Sequence, residues 1–165
     1  LVWWSHHLND EVDDRVVERV YQRVQDGMGL IVLHSARNSK IFQRLMGTTC
    51  KVQENRNNNE TERLWVLERS HPIASNLGTD SIEIPESQIM AEPFQIPDPK
   101  DVVFTSWIEG GEIFRSGCCF QRGAGRIFYF GPGHETHPVF YQTDIQQIIA
   151  NSVRWAAPTK KRSSS

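Results

Sequence analysis

Four of the six histidines in this 165-residue chain follow apolar runs with the character of β-strands, directly or after a short turn: His6, His7, His34 and His134. The runs are residues 1–4, 30–33 and 127–130. Open α/β sheets bind ligands at the carboxyl ends of their strands. If these three strands are parallel neighbours, several imidazoles and the carboxylate of Glu135 converge in one crevice. Because histidine transfers protons near neutral pH, the pattern predicts an acid–base site.

Each histidine taken alone also has a structural interpretation. A single imidazole at a strand end is more often a hydrogen-bonded structural group than a catalyst, so only the clustering favours function. His7 is the weakest member, since adjacent residues near a strand end point to opposite faces. His71 precedes Pro72 and is expected in a turn, whereas His137 fits either interpretation.

The same side chains could instead bind a metal ion. Two or three imidazoles with Glu92 or Glu135 would suit zinc. The sequence contains no histidine pair at a tight helical spacing such as H-x-x-x-H. Zinc is therefore an alternative use of the crevice rather than its first interpretation.

Nucleophilic catalysis has less support. Ser35 lies between a strand and a helix, where hydrolases place their nucleophile, but the surrounding residues 33–37 (LHSAR) lack the glycines of G-x-S-x-G. Cys118 and Cys119 fall in a predicted strand, where buried thiols are the rule. The sequence has no G-x-G-x-x-G or P-loop motif, so a bound dinucleotide or nucleoside triphosphate is not indicated.

A second candidate surface is the turn around Trp107 and Glu109. Sugar sites combine aromatic faces, which stack on the apolar faces of sugars, with polar groups that bind the hydroxyls. The alternative interpretation is a hairpin whose tryptophan belongs to the core.

Hydrophobic periodicity predicts the elements that must position these residues. Valines at intervals of three and four follow the helix-start residues 9–11 (NDE) and predict a helix to about residue 26. Residues 1–4 and 30–33 are predicted as buried strands on either side of it. Strand, helix and strand together form a βαβ unit with parallel strands.

Further elements are predicted along the rest of the chain. Helices are expected over 39–46 and 144–155, and strands over 64–67, 102–107, 113–120 and 127–130, with the pair around Gly110-Gly111 forming a hairpin. The polar residues 53–62 predict an exposed loop or hairpin tip. Residues 89–99, with three prolines, predict irregular structure.

Composition excludes several classes of protein. A net charge of −2 argues against a nucleic-acid binder, and no apolar run approaches the roughly 20 residues of a membrane span. Three cysteines cannot form a disulfide scaffold and favour the reducing cytoplasm. The chain opens without Met inside an apolar strand, so we expect preceding units to be absent. Their absence would leave an apolar edge that favours a homo-oligomer.

The sequence resembles the ThuA-like, or trehalose utilization, family from residue 1 to about 158. The segments that carry the resemblance, in order along the chain, are residues 1–6 (LVWWSH), 27–35 (GMGLIVLHS), 39–42 (SKIF), 45–50 (LMGTTC), 62–66 (ERLWV), 71–74 (HPIA), 106–112 (SWIEGGE), 114–118 (FRSGC), 128–136 (FYFGPGHET) and 150–158 (ANSVRWAAP).

This resemblance implies a fold and a function. The fold is a flavodoxin-like α/β/α sandwich of the class I glutamine amidotransferase type, with a mostly parallel sheet that lacks its first βα units. Residues 1–158 would form this partial domain and residues 159–165 a disordered basic tail. The implied function is processing of a 3-keto-disaccharide or other trehalose derivative. Amidotransferase activity is not implied, because the family does not keep the nucleophilic cysteine.

The implied site combines the family pattern with the strand-end pattern. The catalytic candidates are His134 as general acid–base, Glu135 as the group that orients it, and His34. The substrate-binding candidates are His6, Trp4, Ser35, Glu92, Trp107 and Glu109. The partner would be a small sugar, with no nucleic acid or membrane. No cofactor is expected, with a divalent metal ion as the alternative.

Several positions depart from the family pattern. Ser5 stands for a glycine, Asn9 for a histidine, Arg37 for a second histidine, Gly131 for an arginine and Tyr141 for a further histidine. Glu92 matches a family glutamate only if a neighbouring glycine is deleted. The loss of several polar residues together makes a degenerate, non-catalytic domain that binds a sugar or a partner the alternative function. A metal-dependent hydrolase is the third reading.

Overall fold

The computed structural model describes residues 1–158, with the side chains of residues 54–59 excepted. The predicted tail over 159–165 lies outside the described residues. Seven strands form one sheet: β1 (Val2–Trp4), β2 (Leu30–Leu33), β3 (Glu54–Val66), β4 (Ser81–Ala91), β5 (Asp101–Ile108), β6 (Ile113–Arg122) and β7 (Gly125–Phe130). Three α-helices accompany them: α1 (Asp14–Gln25), α2 (Lys40–Met46) and α3 (Thr143–Ala156).

The sheet is mixed, and most of it is antiparallel. Its order is β1-β2-β7-β6-β5-β3-β4. Among the described strands, β1/β2 and β2/β7 pair in parallel and the other four pairings are antiparallel. The prediction of a mostly parallel sheet is therefore wrong. The physical reason is loop length, because the connections between β5 and β6 and between β6 and β7 are too short for the crossover that parallel strands need.

Helices cover both faces of the sheet. Residues of α1 and α2 pack with Leu30 and Val32 of β2 in one apolar cluster, and residues of α3 pack with Ile31 and Leu33 in the other. All four β2 residues are buried, as the unbroken apolar run predicts. The α/β class with helices on two faces is thus confirmed, and β2 contributes to the apolar clusters on both faces.

Three predictions of local structure are wrong, the simplest being that the segment 89–99, predicted as irregular, begins inside β4, which extends to Ala91. Residues 9–11 form a separate 3₁₀ turn, and α1 begins after Asp13, whose carboxylate accepts a hydrogen bond from the Arg15 N–H at 2.7 Å. The polar residues 53–62 do not form a loop, since most of them lie in β3. There the backbone pairs with β4 from Glu54 to Trp65, so the hydrogen-bond ladder rather than an apolar face defines the strand.

The sheet has β1 at one edge and β4 at the other. Val2 and Trp4 are 46% and 43% exposed, so β1 is not the buried strand that its composition predicts. An edge strand has a neighbour on one side only and buries less surface. Self-association through this edge stays a prediction. Within residues 1–158, no helix has the length and apolar character needed to cross a bilayer.

Candidate functional site

The three strands that precede the histidines are adjacent and parallel. Trp4 is in register with Leu33, and Leu33 with Phe130, so β1, β2 and β7 end at the same level. The chain segments that leave these ends bring three imidazoles together. The ring centroids of His6, His34 and His134 lie 4.5 Å (6 to 134), 5.6 Å (34 to 134) and 6.5 Å (6 to 34) apart. The structure thus brings the candidate histidines into one cluster.

His34 is the most deeply buried of the three, with 1% of its surface exposed. Its Nδ1 donates to the carbonyl oxygen of Gly131 at 2.7 Å, and its Nε2 lies 2.7 Å from Oε1 of Gln88. Burial lowers the pKa of His34 to about 4 and outweighs both hydrogen bonds, which favour the charged ring. The ring is therefore neutral at pH 7, with its proton on Nδ1. The Gln88 amide can turn to serve the lone pair on Nε2.

The tautomer of His134 is governed by Thr136. The Thr136 backbone N–H donates to Nδ1 at 3.2 Å, and its hydroxyl lies 2.7 Å from the same atom. In the neutral ring the proton is then on Nε2, which lies 3.6 Å from Oε2 of Glu135. Burial lowers the pKa of His134, and the nearby Glu135 carboxylate only partly opposes this. The resting ring is neutral and presents an N–H to the crevice.

Glu135 lies between two imidazoles. Its Oε2 is 3.6 Å from His134 Nε2 and 3.4 Å from His6 Nδ1. Partial desolvation tends to raise the pKa of Glu135, but its own backbone N–H and the neighbouring imidazoles together hold it below the ordinary value. The side chain is 37% exposed and accessible to a ligand. The crevice therefore combines the ionised carboxylate of Glu135 with the neutral imidazole of His134.

Ser35 does not complete a nucleophilic triad. Its hydroxyl lies 2.8 Å from Nδ1 of His6, the same ring nitrogen that faces Glu135. In a Ser-His-acid triad the acid and the serine hold opposite ring nitrogens. Ser35 is thus a hydrogen-bond partner of His6.

The cluster separates two cavities of different character. The polar cavity has a volume of about 240 Å³ and is lined by His6, His7, His34, Ser35, Asn38 and Gln88, among others. The less polar cavity has a volume of about 430 Å³ and is lined by Trp4, Leu33, His134, Glu135, Phe140 and Tyr141, among others. Together they match the size range of ligand sites, which combine apolar walls with a few polar groups.

Three of the predicted substrate-binding residues lie elsewhere. Both carboxylate oxygens of Glu92 are engaged by the Arg115 guanidinium, at 2.8 and 3.0 Å, so this residue ties β4 to β6 instead of lining the crevice. Trp107 and Glu109 line a different cavity, next to Thr61. Trp107 is 56% exposed, so the alternative of a core tryptophan is also wrong. Physically, the antiparallel strands carry these residues beyond the histidine cluster.

Sequence reasoning missed Gln88 and Thr136. Gln88 comes from β4, at the opposite edge of the sheet, and no local pattern marks it. Thr136 could have been found, because a hydroxyl two residues after a histidine can bond its ring. His71 lies in a turn as predicted, with Nδ1 accepting the N–H of Ile73 at 3.2 Å. His137 is buried, with its ring centroid 5.8 Å from that of His134.

Three groups among the described residues have the composition of a metal site. Ligand atoms of His6, His34 and His134 lie within 4.8 Å of one another, and so do those of His71, Asp101 and Cys119, and those of His6, His7 and Glu135. A ligating nitrogen needs a lone pair. In the second group, the hydrogen bond to Nδ1 of His71 leaves the proton on Nε2, the atom that faces Cys119. That group therefore fits a metal poorly.

The first group fits better because each ring has a partner for its second nitrogen. Gly131 holds the Nδ1 proton of His34, as second-shell carbonyls do in metal sites. His134 would have to move its proton from Nε2 to Nδ1, where the Thr136 hydroxyl can accept it. These three imidazoles are the residues that could hold a divalent cation.

Solved structures with the same fold come from several bacteria. A ThuA-like protein from Parabacteroides merdae is 17% identical with a TM-score of 0.66, over 87% of this chain and 66% of that chain. A ThuA-like protein from Bacteroides uniformis is 20% identical with a TM-score of 0.64, over 90% and 66%. A Salmonella typhimurium protein described as cytoplasmic is 13% identical with a TM-score of 0.56, over 90% and 63%.

This chain thus spans just under two thirds of the length of these structures, and the likeness concerns the fold. No curated protein matches the chain closely enough to count as a relative. The family model described as trehalose utilisation, ThuA, matches residues 1–156, which include all three strands and histidines of the crevice. The chain therefore belongs to the trehalose utilisation (ThuA) family.

Proposed function

We propose that this chain catalyses proton transfer on a carbohydrate that carries a carbonyl group, such as a 3-keto-disaccharide derived from trehalose. The observation that carries the proposal is the ionised Glu135 beside the neutral imidazole of His134, with their facing atoms 3.6 Å apart. The family's description as trehalose utilisation supports a sugar substrate. A cytoplasmic location, as described for the Salmonella protein, is part of the proposal.

The tautomer of His134 decides the division of roles. The sequence pattern assigned proton transfer to His134 and orientation to Glu135. The Nε2–H of the resting ring favours the opposite division, in which Glu135 takes the proton and His134 donates a hydrogen bond. A carboxylate base paired with a neutral imidazole donor suits removal of a proton next to a carbonyl, because the imidazole stabilises the developing oxyanion.

A keto sugar supplies that chemistry without a redox step. The carbonyl acidifies the hydrogen on the neighbouring carbon. Glu135 would accept this proton, the electron pair would move onto the carbonyl oxygen, and the Nε2–H of His134 would stabilise the resulting charge. His6 lies 3.4 Å from the same carboxylate oxygen and would share the accepted proton. His34, neutral and held on both ring nitrogens by Gly131 and Gln88, would line the polar cavity beside the sugar.

The two cavities fit a substrate of two rings. The polar cavity offers hydroxyl, amide and imidazole groups to the hydroxyls of one sugar. The larger cavity offers the faces of Trp4, Phe140 and Tyr141, on which a second ring can stack. In this arrangement the carbon that exchanges its proton lies next to Glu135, where the two cavities meet.

Hydrogen–deuterium exchange tests the proposal directly. The purified chain is incubated with 3-keto-trehalose in D₂O, and loss of the proton signal next to the carbonyl is followed by NMR. We expect exchange above the buffer rate for the keto sugar and none for trehalose, which lacks the acidic hydrogen. Exchange at the buffer rate, with the sugar shown to bind, would mean that the chain is the degenerate binding domain that its departures such as Arg37 and Tyr141 favour.

Metal binding is the second candidate function, favoured by the three imidazoles with ligand atoms within 4.8 Å. Zinc titration of metal-free protein, followed through the imidazole NMR signals of His6, His34 and His134, tests it. Stoichiometric binding that shifts all three would support a metal centre. Unchanged imidazole signals at a molar excess of zinc would exclude zinc there.

A further inference from the structure

One carboxyl group lies in the interior of the sheet and faces hydroxyl groups. Glu62 of β3 is 4% exposed. Its Oε2 accepts a hydrogen bond from the Ser87 hydroxyl at 2.5 Å, and its Oε1 accepts one from the Ser106 hydroxyl. Burial raises the pKa of Glu62 despite these two bonds. A carboxyl group in such a place is costly unless its hydrogen bonds are complete.

The first branch of this network leads to the Nδ1 side of His34. The Ser106 hydroxyl contacts the Ser116 hydroxyl on the next strand. The carbonyl of Ser116 accepts the N–H of Gly131 at 2.8 Å, and the carbonyl of Gly131 in turn accepts the Nδ1–H of His34 at 2.7 Å. The β6 and β7 backbones thus link the carboxyl group to the histidine.

The second branch leads to the opposite side of the same ring. Ser87 immediately precedes Gln88 in β4, and the Gln88 amide lies 2.7 Å from Nε2 of His34. The two hydrogen-bond partners of His34 are Gln88 and Gly131. Gln88 follows Ser87, whose hydroxyl donates to Glu62. Gly131 donates to the carbonyl of Ser116, whose hydroxyl contacts that of Ser106, the other donor to Glu62.

We propose that Glu62 is a positioning residue for the candidate site, holding Gln88 and Gly131 on opposite sides of His34 through its serine partners. Its structural effect, the fixed orientation and tautomer of His34, does not depend on the reaction, whereas its catalytic effect rests on the proposed function.

Proton counting shows why the carboxylate matters. Each serine has one hydroxyl proton. In the ionised state of Glu62, Ser87 and Ser106 both donate to the carboxylate and Ser116 donates to Ser106, so the directions of all three hydroxyl groups are determined. An amide at position 62 presents an acceptor and a donor. It must therefore reverse the direction of the hydroxyl hydrogen bonds in one of the two branches.

Imidazole NMR of the full chain tests the proposal through Glu62→Gln. In the wild type we expect the His34 signals of a neutral ring protonated at Nδ1. In the variant we expect a shift toward the other tautomer, or faster exchange of the Nδ1 proton with solvent. Glu83→Gln is the matched control, because Glu83 lies on β4 and pairs with Arg63 in solvent. Unchanged His34 signals in a folded Glu62→Gln protein would overturn the proposal.

Ser87→Ala keeps the proposal testable if Glu62→Gln does not fold. It breaks only the Gln88 branch, so we expect the Nε2 signal of His34 to move more than the Nδ1 signal. Equal effects, or none, would contradict a network with two branches. For sugar turnover, Glu62→Gln should lower kcat by up to about 100-fold with little change in KM. An inactive wild type would refute the proposed function and leave the NMR result standing.

Discussion

The two halves of the sheet differ in where they place their polar side chains. The parallel half, β1, β2 and β7, ends in the three histidines of the crevice. The antiparallel half, β3 to β6, carries Glu92, Trp107 and Glu109, which have suitable side chains but lie away from the cluster. The comparison teaches that residue type predicts chemistry only where strand direction places the residues at a common edge. The antiparallel half instead supplies Gln88, which contacts His34, and Glu62, which accepts a hydrogen bond from the neighbouring Ser87.

The largest expected difference between the halves concerns two exposed glutamates, both predicted from sequence to act in the site. Glu135→Gln removes the proposed base and should lower proton exchange on the keto sugar by about 10²- to 10⁴-fold. Glu109→Gln, in the antiparallel half, should leave the rate within about twofold of the wild type. Rates are measured by NMR in D₂O. Equal losses in both variants would show that the crevice is not the reacting site.

The second prediction concerns the pH dependence of the free energy of unfolding, which His34 of the parallel half should govern. The folded pKa of His34 is about 4, below the ordinary value of 6.5. Between pH 4 and pH 6.5 the unfolded chain binds more protons at His34 than the folded chain does. The free energy of unfolding is therefore not reduced by His34 above pH 6.5 and decreases as the pH falls toward 4. The loss attributable to His34 approaches about 3 kcal/mol. Denaturant unfolding between pH 7.5 and 4.5 measures it. Folded His34→Gln protein should show a flatter profile, and an identical profile would exclude His34 as the cause.

The third difference is the ion pair of the antiparallel half. Glu92→Gln weakens the contacts with Arg115 and should reduce the free energy of unfolding by about 1–2 kcal/mol, without changing activity. Desolvation opposes ionisation of Glu92, but Arg115 and two backbone N–H groups lower its pKa overall. Its contribution is therefore present above the unfolded pKa of 4.5 and lost as pH falls below it. If activity fell while the free energy of unfolding stayed unchanged, Glu92 would have to act in the candidate site.

The smallest effect concerns the two edges of the sheet. The β4 edge contains Pro85 and the charged Glu83 and Glu86, which discourage pairing with another chain, whereas β1 carries no charge and exposes Val2 and Trp4. We expect concentration-dependent self-association, reduced by Val2→Lys and unaffected by Ser81→Lys. Light scattering from micromolar to millimolar concentration measures it. A wild-type monomer throughout would contradict this expectation.

The sequence predicted the parts of the fold that depend on local pattern. The helices α2 and α3, the β5/β6 hairpin and the buried run of β2 follow from periodicity and turn residues. The polar β3 segment did not, because its residues show no apolar alternation and the strand is defined by its backbone hydrogen bonds with β4. For the site, the strand-end histidines were visible, but Gln88 was not. Its place beside His34 depends on a partner 54 residues away in the chain.

The position of β7 has a consequence for synthesis and folding. Among the described residues it is the last strand in sequence, yet it lies between β2 and β6 and alone joins the parallel half to the antiparallel half. A nascent chain that has emerged only as far as Arg122 therefore contains two separate sets of strands, and the edge of β2 that will pair with β7 is still unpaired. His6 and His34 exist for that whole interval without the loop that carries His134. We expect the crevice to form only after β7 and the loop that carries His134 have emerged.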